Sequence, residues 1–426
     1  MKKIGVSLLL AITFFLEPIR IWGQFEKVSE LSSRILYETQ VEQTQEEQAQ
    51  EGQSQEEVQD ASDAPVQTEA PSVILLEIST GKVLYEKNSQ EQRSPASITK
   101  IMTLLLIFEE LEKGNLTMEE EVTTSAYAKS MGGSQVFLEE GEKQTVETMI
   151  KCIVVASGND ASVAMAEHIA GSESEFVKRM NEKANQLGMV HTHFEDCCGL
   201  TDSTNHYTSA GDVAIMSREL IGRFPQILEY SSIWMENITH VTAQGTKEFC
   251  LTNTNKLVRS YEGCVGLKTG STSTAKYCVS AVAKRGDIML LAVVMGAPDH
   301  KVRFKDAAAM LNYGFGICNL YVDEDPEAPE PAKISRGVKE EVSCEYKETF
   351  QYLDTEGSNL DQIEKRTEYT ENLQAPIKKG DVVGKIIYTL DGKEIGTVEL
   401  VSTEDVRKAN FLDYLKKAAK HFGFVK

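Results

Sequence analysis

Between Glu38 and Ala70 the chain has no lysine and no arginine, yet it carries about ten carboxylates and many glutamines. A stretch this polar cannot bury enough apolar surface to offset the entropy of ordering, so residues 24–70 read as a disordered acidic and glutamine-rich tether. Basic surface is scarce as well: 44 Lys+Arg against 65 Asp+Glu give a formal net charge of −21, part of which belongs to the tether. No basic stripe interleaved with aromatics interrupts that acidity, which excludes nucleic acid as a partner. Long apolar runs are missing too. Ile4 to Leu16, behind Lys2 and Lys3, has the length of a signal-peptide core and is short for a membrane span, so residues 1–23 read as a signal peptide. The flank at Arg20 to Gln24 is untidy for cleavage near Gly23, which leaves a retained anchor as the alternative. Nothing further along the chain would cross a bilayer, which excludes a downstream transmembrane relay.

Against these absences stands "RSPASITKIMTLLLIFEEL" (Arg93 to Leu111), which sets Ser97 and Lys100 three apart at the mouth of an apolar run. An S-x-x-K spacing arises by chance about once or twice in a chain of this length. Ser273 and Lys276, for example, share it. Geometry separates the two. Ser94-Pro95 reads as an N-cap followed by proline at the first helical position, and Ile98, Ile101, Met102, Leu105 and Phe108 recur at helical spacing, so Ser97 and Lys100 share a face. The second pair lies next to "KYCVSAVA", which reads as a strand, where residues three apart point to opposite faces. A serine hydroxyl is a poor nucleophile until a base removes its proton, and a lysine is such a base only when burial or a nearby cation keeps it neutral. The apolar helix supplies burial, so a second cation is expected elsewhere. Two later stretches stand out: Ser157-Gly158-Asn159, opening an apparent helix, and Lys268-Thr269-Gly270, at the head of a probable strand.

The ordered set S-x-x-K, S-x-N and K-T-G resembles the penicillin-recognising serine enzymes. The text around it, "SPASITKIMT", "ASGNDASVAMAEHI", "HYTSAGDVAIMSREL" and "VGLKTGSTSTA", resembles the low-molecular-mass penicillin-binding proteins, the serine-type D-alanyl-D-alanine carboxypeptidases. The resemblance runs from about Ser72 to the C-terminus. It implies Ser97 as the acyl-accepting nucleophile and Lys100 as its base. Ser157 would relay a proton to the leaving amine, and the Asn159 amide would hold Lys100 and the substrate backbone. Lys268 would be the second cation, facing the substrate's terminal carboxylate together with Thr269. Gly270 would let the strand approach the ligand, and the N–H groups of Ser97 and Ser271 would form the oxyanion hole. The implied partners are a peptidoglycan stem peptide ending in D-Ala-D-Ala and β-lactam antibiotics; no cofactor is implied. A β-lactamase, a DD-endopeptidase of the same fold and a non-enzymatic penicillin sensor are the alternatives. No E-x-x-L-N segment of the class A β-lactamase kind is present.

The cysteines bear on compartment and on metal binding. Cys152, Cys250, Cys278 and Cys318 sit in apolar or strand-like contexts where a thiol behaves as a small hydrophobe, and the resemblance implies no required disulfide. In "HTHFEDCCGL", His191, His193, Glu195, Cys197 and Cys198 crowd together like metal ligands. The matching family stretch is not a metal site, and Cys198 replaces its usual His or Asn, so no metal is expected and a changed cleft wall is.

The expected architecture is α+β: a penicillin-binding, serine β-lactamase-like domain with an antiparallel sheet and helices over residues 71–322. "SVILLEISTGKVLYEKN" reads as a hairpin turning at Thr80-Gly81, and "KYCVSAVAKRGDIMLLAVVMGA" as another turning at Arg285-Gly286-Asp287. A proline- and acid-rich linker over 323–333 leads to a small β-rich domain over 334–404. Residues 405–426 read as an amphipathic helix with Phe411, Leu412, Leu415, Ala419 and Phe422 on one face and Lys408, Lys416, Lys417 and Lys420 mostly elsewhere. Such a helix either associates with a membrane surface or packs on its own domain; the family's ending favours the former. With the signal peptide, this implies a protein on the outer face of the cytoplasmic membrane.

Overall fold

The structure, a computed structural model, describes residues 65–324 and 326–421, with side chains as far as 418. The expected signal peptide, most of the expected tether and Phe422 lie outside the described residues. The last tether residues do not behave as expected. Val66 and Ala70 are buried, the Ala70 N–H donates to Asp306 Oδ2 at 2.8 Å, and Lys87 Nζ reaches the Thr68 carbonyl at 2.8 Å. Two small apolar residues suffice to pin this segment, because the carboxylate-rich part ends before it.

The main sheet is antiparallel and joins distant segments: β1 (Ser72–Glu77), β2 (Val83–Lys87), β3 (Cys264–Thr272), β4 (Lys276–Arg285) and β5 (Ile288–Ala297), in the order β2-β1-β5-β4-β3. Both expected hairpins are present. The sheet is covered on both faces, and the period-2 alternation of its strands assigns the sides. Ile74, Leu76, Leu291 and Val293 enter the larger core, beside the helices, whereas Val73, Leu75, Ala292 and Val294 enter the smaller one against a helix at Val302–Ile317.

At the centre of the larger core runs α1 (Lys100–Glu112), preceded by a 3-10 turn over Ala96–Thr99. Ser94 is therefore not its cap. The chain passes through a left-handed residue, Ala96 at φ 46°, and Pro95 heads the 3-10 turn without any side-chain cap. The apolar spacing also understates the burial, since every residue from Lys100 to Glu109 is buried and α1 is enclosed on all sides. Beside it lie α2 (Val146–Val154), α3 (Asn159–Ala170), α4 (Glu173–Gln186) and α5 (Ala210–Arg223), whereas α6, the Val302–Ile317 helix, covers the other face of the sheet.

Beyond α6, Asn319–Val322 pairs with Gln351–Asp354, so these residues belong by pairing to the β-rich segment. Asp323, the first residue of the expected linker, is buried there and accepts hydrogen bonds from Lys365 Nζ at 2.6 Å and the Tyr388 hydroxyl at 2.7 Å. The second sheet has the order β6-β9-β8-β7, formed by β6 (Cys344–Tyr346), β7 (Glu364–Tyr369), β8 (Val382–Leu390) and β9 (Lys393–Ser402). Its core includes Phe350 stacked on Tyr388 with ring centres 3.6 Å apart. The last helix, α7, spans Phe411–His421 and starts later than Asp405. Residues before it are extended, with Val406 bridging Ile377 and Lys408 bridging Gly337.

Candidate active site

The 3-10 turn holds Ser97 half-buried at the edge of the core, one helical turn before Lys100, whose side chain is fully enclosed. Lys100 Nζ lies 3.0 Å from Ser97 Oγ, 2.6 Å from Asn159 Oδ1 and 2.8 Å from the Cys198 carbonyl oxygen. A neutral primary amine has two N–H bonds and one lone pair. Two of the three partners are carbonyl oxygens, which only accept, so they take both N–H bonds and leave the lone pair for the one partner able to donate, the Ser97 hydroxyl.

Asn159 opens α3, where Gly158 places it and the left-handed Ser157 (φ 63°) turns the chain into the helix. Its amide is oriented from the far side, Nδ2 donating to the Gly132 carbonyl at 2.7 Å, so Oδ1 faces Lys100. Ser157 Oγ accepts from Lys268 Nζ at 2.9 Å, and Lys268 also donates to the Thr269 carbonyl at 2.9 Å. Thr269 Oγ1 donates to Thr254 Oγ1 at 2.8 Å. Lys268, Thr269 and Gly270 lie in the interior of β3, and Ser271 is the first of its exposed residues beyond them. Lys268-Thr269-Gly270 thus sits past the head of the strand, which had already formed at Cys264.

Gly270 proves necessary for a reason different from the expected one. A Cβ there would lie 2.7 Å from the Pro95 carbonyl and 3.0 Å from the Ser97 nitrogen, so it would strike the serine's own turn before any ligand. Gly199 does the same from the opposite side: it lies at φ 76°, and a Cβ would meet the Ala96 carbonyl at 1.8 Å. The serine turn is clamped between two glycine backbones.

The electrostatics follow from enclosure. Burial pulls the Lys100 ammonium below the ordinary lysine range, an effect opposed by Cys198 and Cys197 and, after them, by Asp196 and Asp160. Lys268 falls well below its ordinary value because of burial first, then the like charges of Lys100 and Arg303. The repulsion anticipated from the sequence therefore falls chiefly on Lys268 rather than on Lys100.

The second S-x-x-K pair is set apart for a corrected reason. Ser273 lies in the exposed turn between β3 and β4, and Lys276 begins β4, so neither is enclosed. Cys198 is buried, so its thiol does not form a cleft wall; its main-chain carbonyl faces the site instead. Cys250 lies in a strand, Gly245–Thr252, in keeping with a strand-like context, but is exposed, and all eight cysteines are unpaired. Among the described residues no group of three or more His, Cys, Asp or Glu could hold a metal ion. His193 Nδ1 instead meets the Asn205 carbonyl at 2.7 Å.

Sequence reasoning missed three participants. The Cys198 carbonyl has no signature, because every residue carries one. Arg303, buried on α6, donates from Nη1 to the Gly270 carbonyl at 3.1 Å, while its Nε has no partner. Its signal was a cationic residue at a position the helix must bury. Asp196 was passed over among the crowded polar residues around it.

Comparison with known proteins gives a consistent result. A family model described as D-alanyl-D-alanine carboxypeptidase matches residues 57–299, and one described as penicillin-binding protein 5, C-terminal domain, matches 320–408. The chain is 42% identical over 350 residues to D-alanyl-D-alanine carboxypeptidase DacF of Bacillus subtilis, covering 82% of this chain and 89% of that one. It is 34% identical over 362 residues to DacC of Escherichia coli, covering 80% and 87%. Penicillin-binding protein 5 from Haemophilus influenzae matches in structure with a TM-score of 0.68 at 30% identity, over 80% of this chain and 98% of that one.

Proposed function

The chain belongs to the D-alanyl-D-alanine carboxypeptidase family, and from that premise we propose how its residues remove the terminal D-alanine from a peptidoglycan stem peptide. The observation that carries the reading is the Lys100 amine, with two carbonyl oxygens and one hydroxyl as its partners. Neutral Lys100 takes the Ser97 proton as Oγ attacks the carbonyl carbon of the penultimate D-alanine. The N–H groups of Ser97 and Ser271 receive the negative charge that develops on the carbonyl oxygen. As the C–N bond breaks, the Ser157 hydroxyl passes its proton to the leaving amine and takes one from Lys268, and the proton that Lys100 removed from Ser97 makes good that loss, which leaves Lys100 neutral again. Neutral Lys100 then takes a proton from the water that attacks the Ser97 ester and delivers it to Ser97 Oγ as the ester bond breaks, releasing the shortened peptide and restoring the hydroxyl.

The substrate's terminal carboxylate faces Lys268, Thr269 and Arg303. An anion there favours the Lys268 ammonium, and by repulsion that ammonium favours the neutral form of Lys100. Substrate binding thus prepares the base. A β-lactam carbonyl enters the same attack, but its leaving amine stays tethered to the acyl group and obstructs water, so the adduct persists. Incubating the purified protein with a D-Ala-D-Ala peptide and with penicillin tests this: free D-alanine and a long-lived penicilloyl adduct are expected. Rapid drug turnover would indicate a β-lactamase, and an adduct without peptide cleavage a sensor.

The division into a catalytic domain over 71–322, a linker over 323–333 and a β-rich domain over 334–404 belongs to the same proposal. The separate apolar cluster of the second sheet supports it, although the pairing of residues 319–322 moves the functional boundary a few residues earlier. We also propose that α7 lies on the outer surface of the cytoplasmic membrane. Phe411, Leu412, Tyr414 and Leu415 are exposed, and Lys417 alone among the helix's described lysines ties back, to the Gly337 carbonyl at 3.1 Å. Near anionic lipid each lysine adds about 1 kcal/mol, a contribution that salt weakens. Deleting Asn410 to Lys426 should release the mature protein from membranes and leave peptide cleavage in solution within about twofold, the helix being remote from Ser97. Unfolding of the truncated chain would show instead that α7 packs on its own domain.

A further inference from the structure

The lone pair of Lys100 points at Ser97 only while both N–H acceptors stay in place. Asn159 Oδ1 is fixed by its own helix and by Gly132, as described above. The Cys198 carbonyl belongs to a loop, and something must hold that loop. Asp196 does so with a single carboxylate. Its Oδ1 accepts the N–H groups of Cys198 at 2.9 Å and Gly199 at 2.5 Å, and its Oδ2 those of Leu200 at 3.0 Å and Thr201 at 2.7 Å. Four successive amides converge on one side chain, and between them they set the orientation of the 198–199 peptide, whose oxygen meets Lys100. The neighbouring contacts act one residue earlier: Glu173 Oε1 accepts the Cys197 N–H at 3.1 Å, and Thr103 Oγ1 donates to the Cys197 carbonyl at 2.5 Å. They anchor the loop without orienting the Cys198 carbonyl. The same four amides hold Gly199 in the left-handed conformation that presses it against Ala96, so one carboxylate controls both the lysine's acceptor and one side of the serine clamp.

We propose that Asp196 is a positioning residue for acylation, gathering the amides of residues 198–201 so that the Cys198 carbonyl occupies one N–H of Lys100 and the lysine lone pair is aimed at Ser97. The inference rests on the reading of Ser97 as nucleophile and Lys100 as base. Misplacement of reacting groups by about 1 Å costs about 100-fold in rate, which sets the scale of the effect.

The charged and titratable groups around Lys100 are Asp196 and Cys197 and Cys198 on the loop, Asp160 on α3, Lys268 on β3 and, behind it, Arg303 on α6; His206 meets the preceding turn at Thr99 Oγ1, 2.9 Å away. Of these, the substitution of Asp196 by alanine removes one negative charge and frees the Cys198 carbonyl, and both changes disfavour the ammonium. The rate of acylation rises with pH as the base loses its proton, so the acid limb of the profile should move to lower pH while the plateau falls.

The test uses the full chain and fluorescent penicillin, with the second-order labelling rate measured across pH, and D-alanine release for kcat and KM. Asp196→Ala is expected to lower the plateau about 10- to 100-fold. It should also shift the acid limb downward and reduce kcat with KM little changed. Asp196→Asn, which keeps an acceptor oxygen on the same stem, is expected to restore part of the plateau. An unchanged rate, or a lower plateau with the wild-type limb and no rescue by asparagine, would overturn the proposal. Should Asp196→Ala fail to fold, the limb in Asp196→Asn decides: a downward shift supports the role and a wild-type limb refutes it. Mapping the adduct in each variant separates this idea from its premise. An adduct off Ser97 breaks the underlying reading, whereas an adduct on Ser97 at an unchanged rate breaks only the positioning role.

Discussion

Replacing Ser97 by alanine is expected to abolish covalent penicillin labelling and to lower D-alanine release by about four orders of magnitude or more. The reason is local. Among the described residues the two lysine amines meet five groups, and Ser157 is the only other hydroxyl of the five; its oxygen is engaged by Lys268 at 2.9 Å rather than by Lys100. A methyl group at position 97 removes one oxygen from a half-buried turn and leaves Lys100 with both carbonyl partners, so the fold should survive. A melting temperature close to that of the unmodified protein, together with the lost labelling, would distinguish loss of chemistry from loss of structure. Labelling at an undiminished rate would remove Ser97 from the mechanism.

Lys100→Arg is the second large effect, and it isolates charge from chemistry. Arginine keeps the positive charge but cannot become neutral in a protein, so it has no lone pair to offer the serine. General-base assistance of this kind contributes about 100- to 10,000-fold, and acylation should fall by that order. Lys100 is fully enclosed, and the larger guanidinium must be accommodated by shifts that cost about 1–3 kcal/mol. Raising the pH should not restore the rate in this variant, whereas in the unmodified protein acylation rises as the depressed amine loses its proton. A near-normal acylation rate for Lys100→Arg, read by penicillin labelling, would require another base.

The polar side chains of the site were legible in the sequence because each sits on a regular element with a recognisable start. Ser97 leads into an apolar helix that Lys100 begins, Asn159 begins another, and Lys268 to Gly270 share a strand. Helical spacing alone implied that Ser97 and Lys100 could meet. What the sequence could not convey was anything made by main chain. The Cys198 carbonyl is brought to Lys100 by a loop 98 residues away, and the close approach of Gly270 to the Ser97 turn depends on tertiary packing. Ser94-Pro95 matched the statistics of a helix start, yet the left-handed Ala96 delayed the α-helix to Lys100. A similar limit affected the fold. Alternating strands disclosed both hairpins of the main sheet, but not that Asn319–Val322 would leave α6 to pair with Gln351–Asp354. The tail's periodicity indicated a helix, while the backbone bridges at Val406 and Lys408 that postpone its start involve partners far away in sequence.

In the proposed mechanism one hydroxyl, activated by one enclosed amine, accepts the acyl group. The most direct measurement is to quench the protein with penicillin within its first turnover, digest it, and locate the penicilloyl mass by tandem mass spectrometry. A single modified residue, Ser97, is expected. A penicilloyl group on Ser157, on Ser273 or on any other side chain, with Ser97 unmodified, would contradict it.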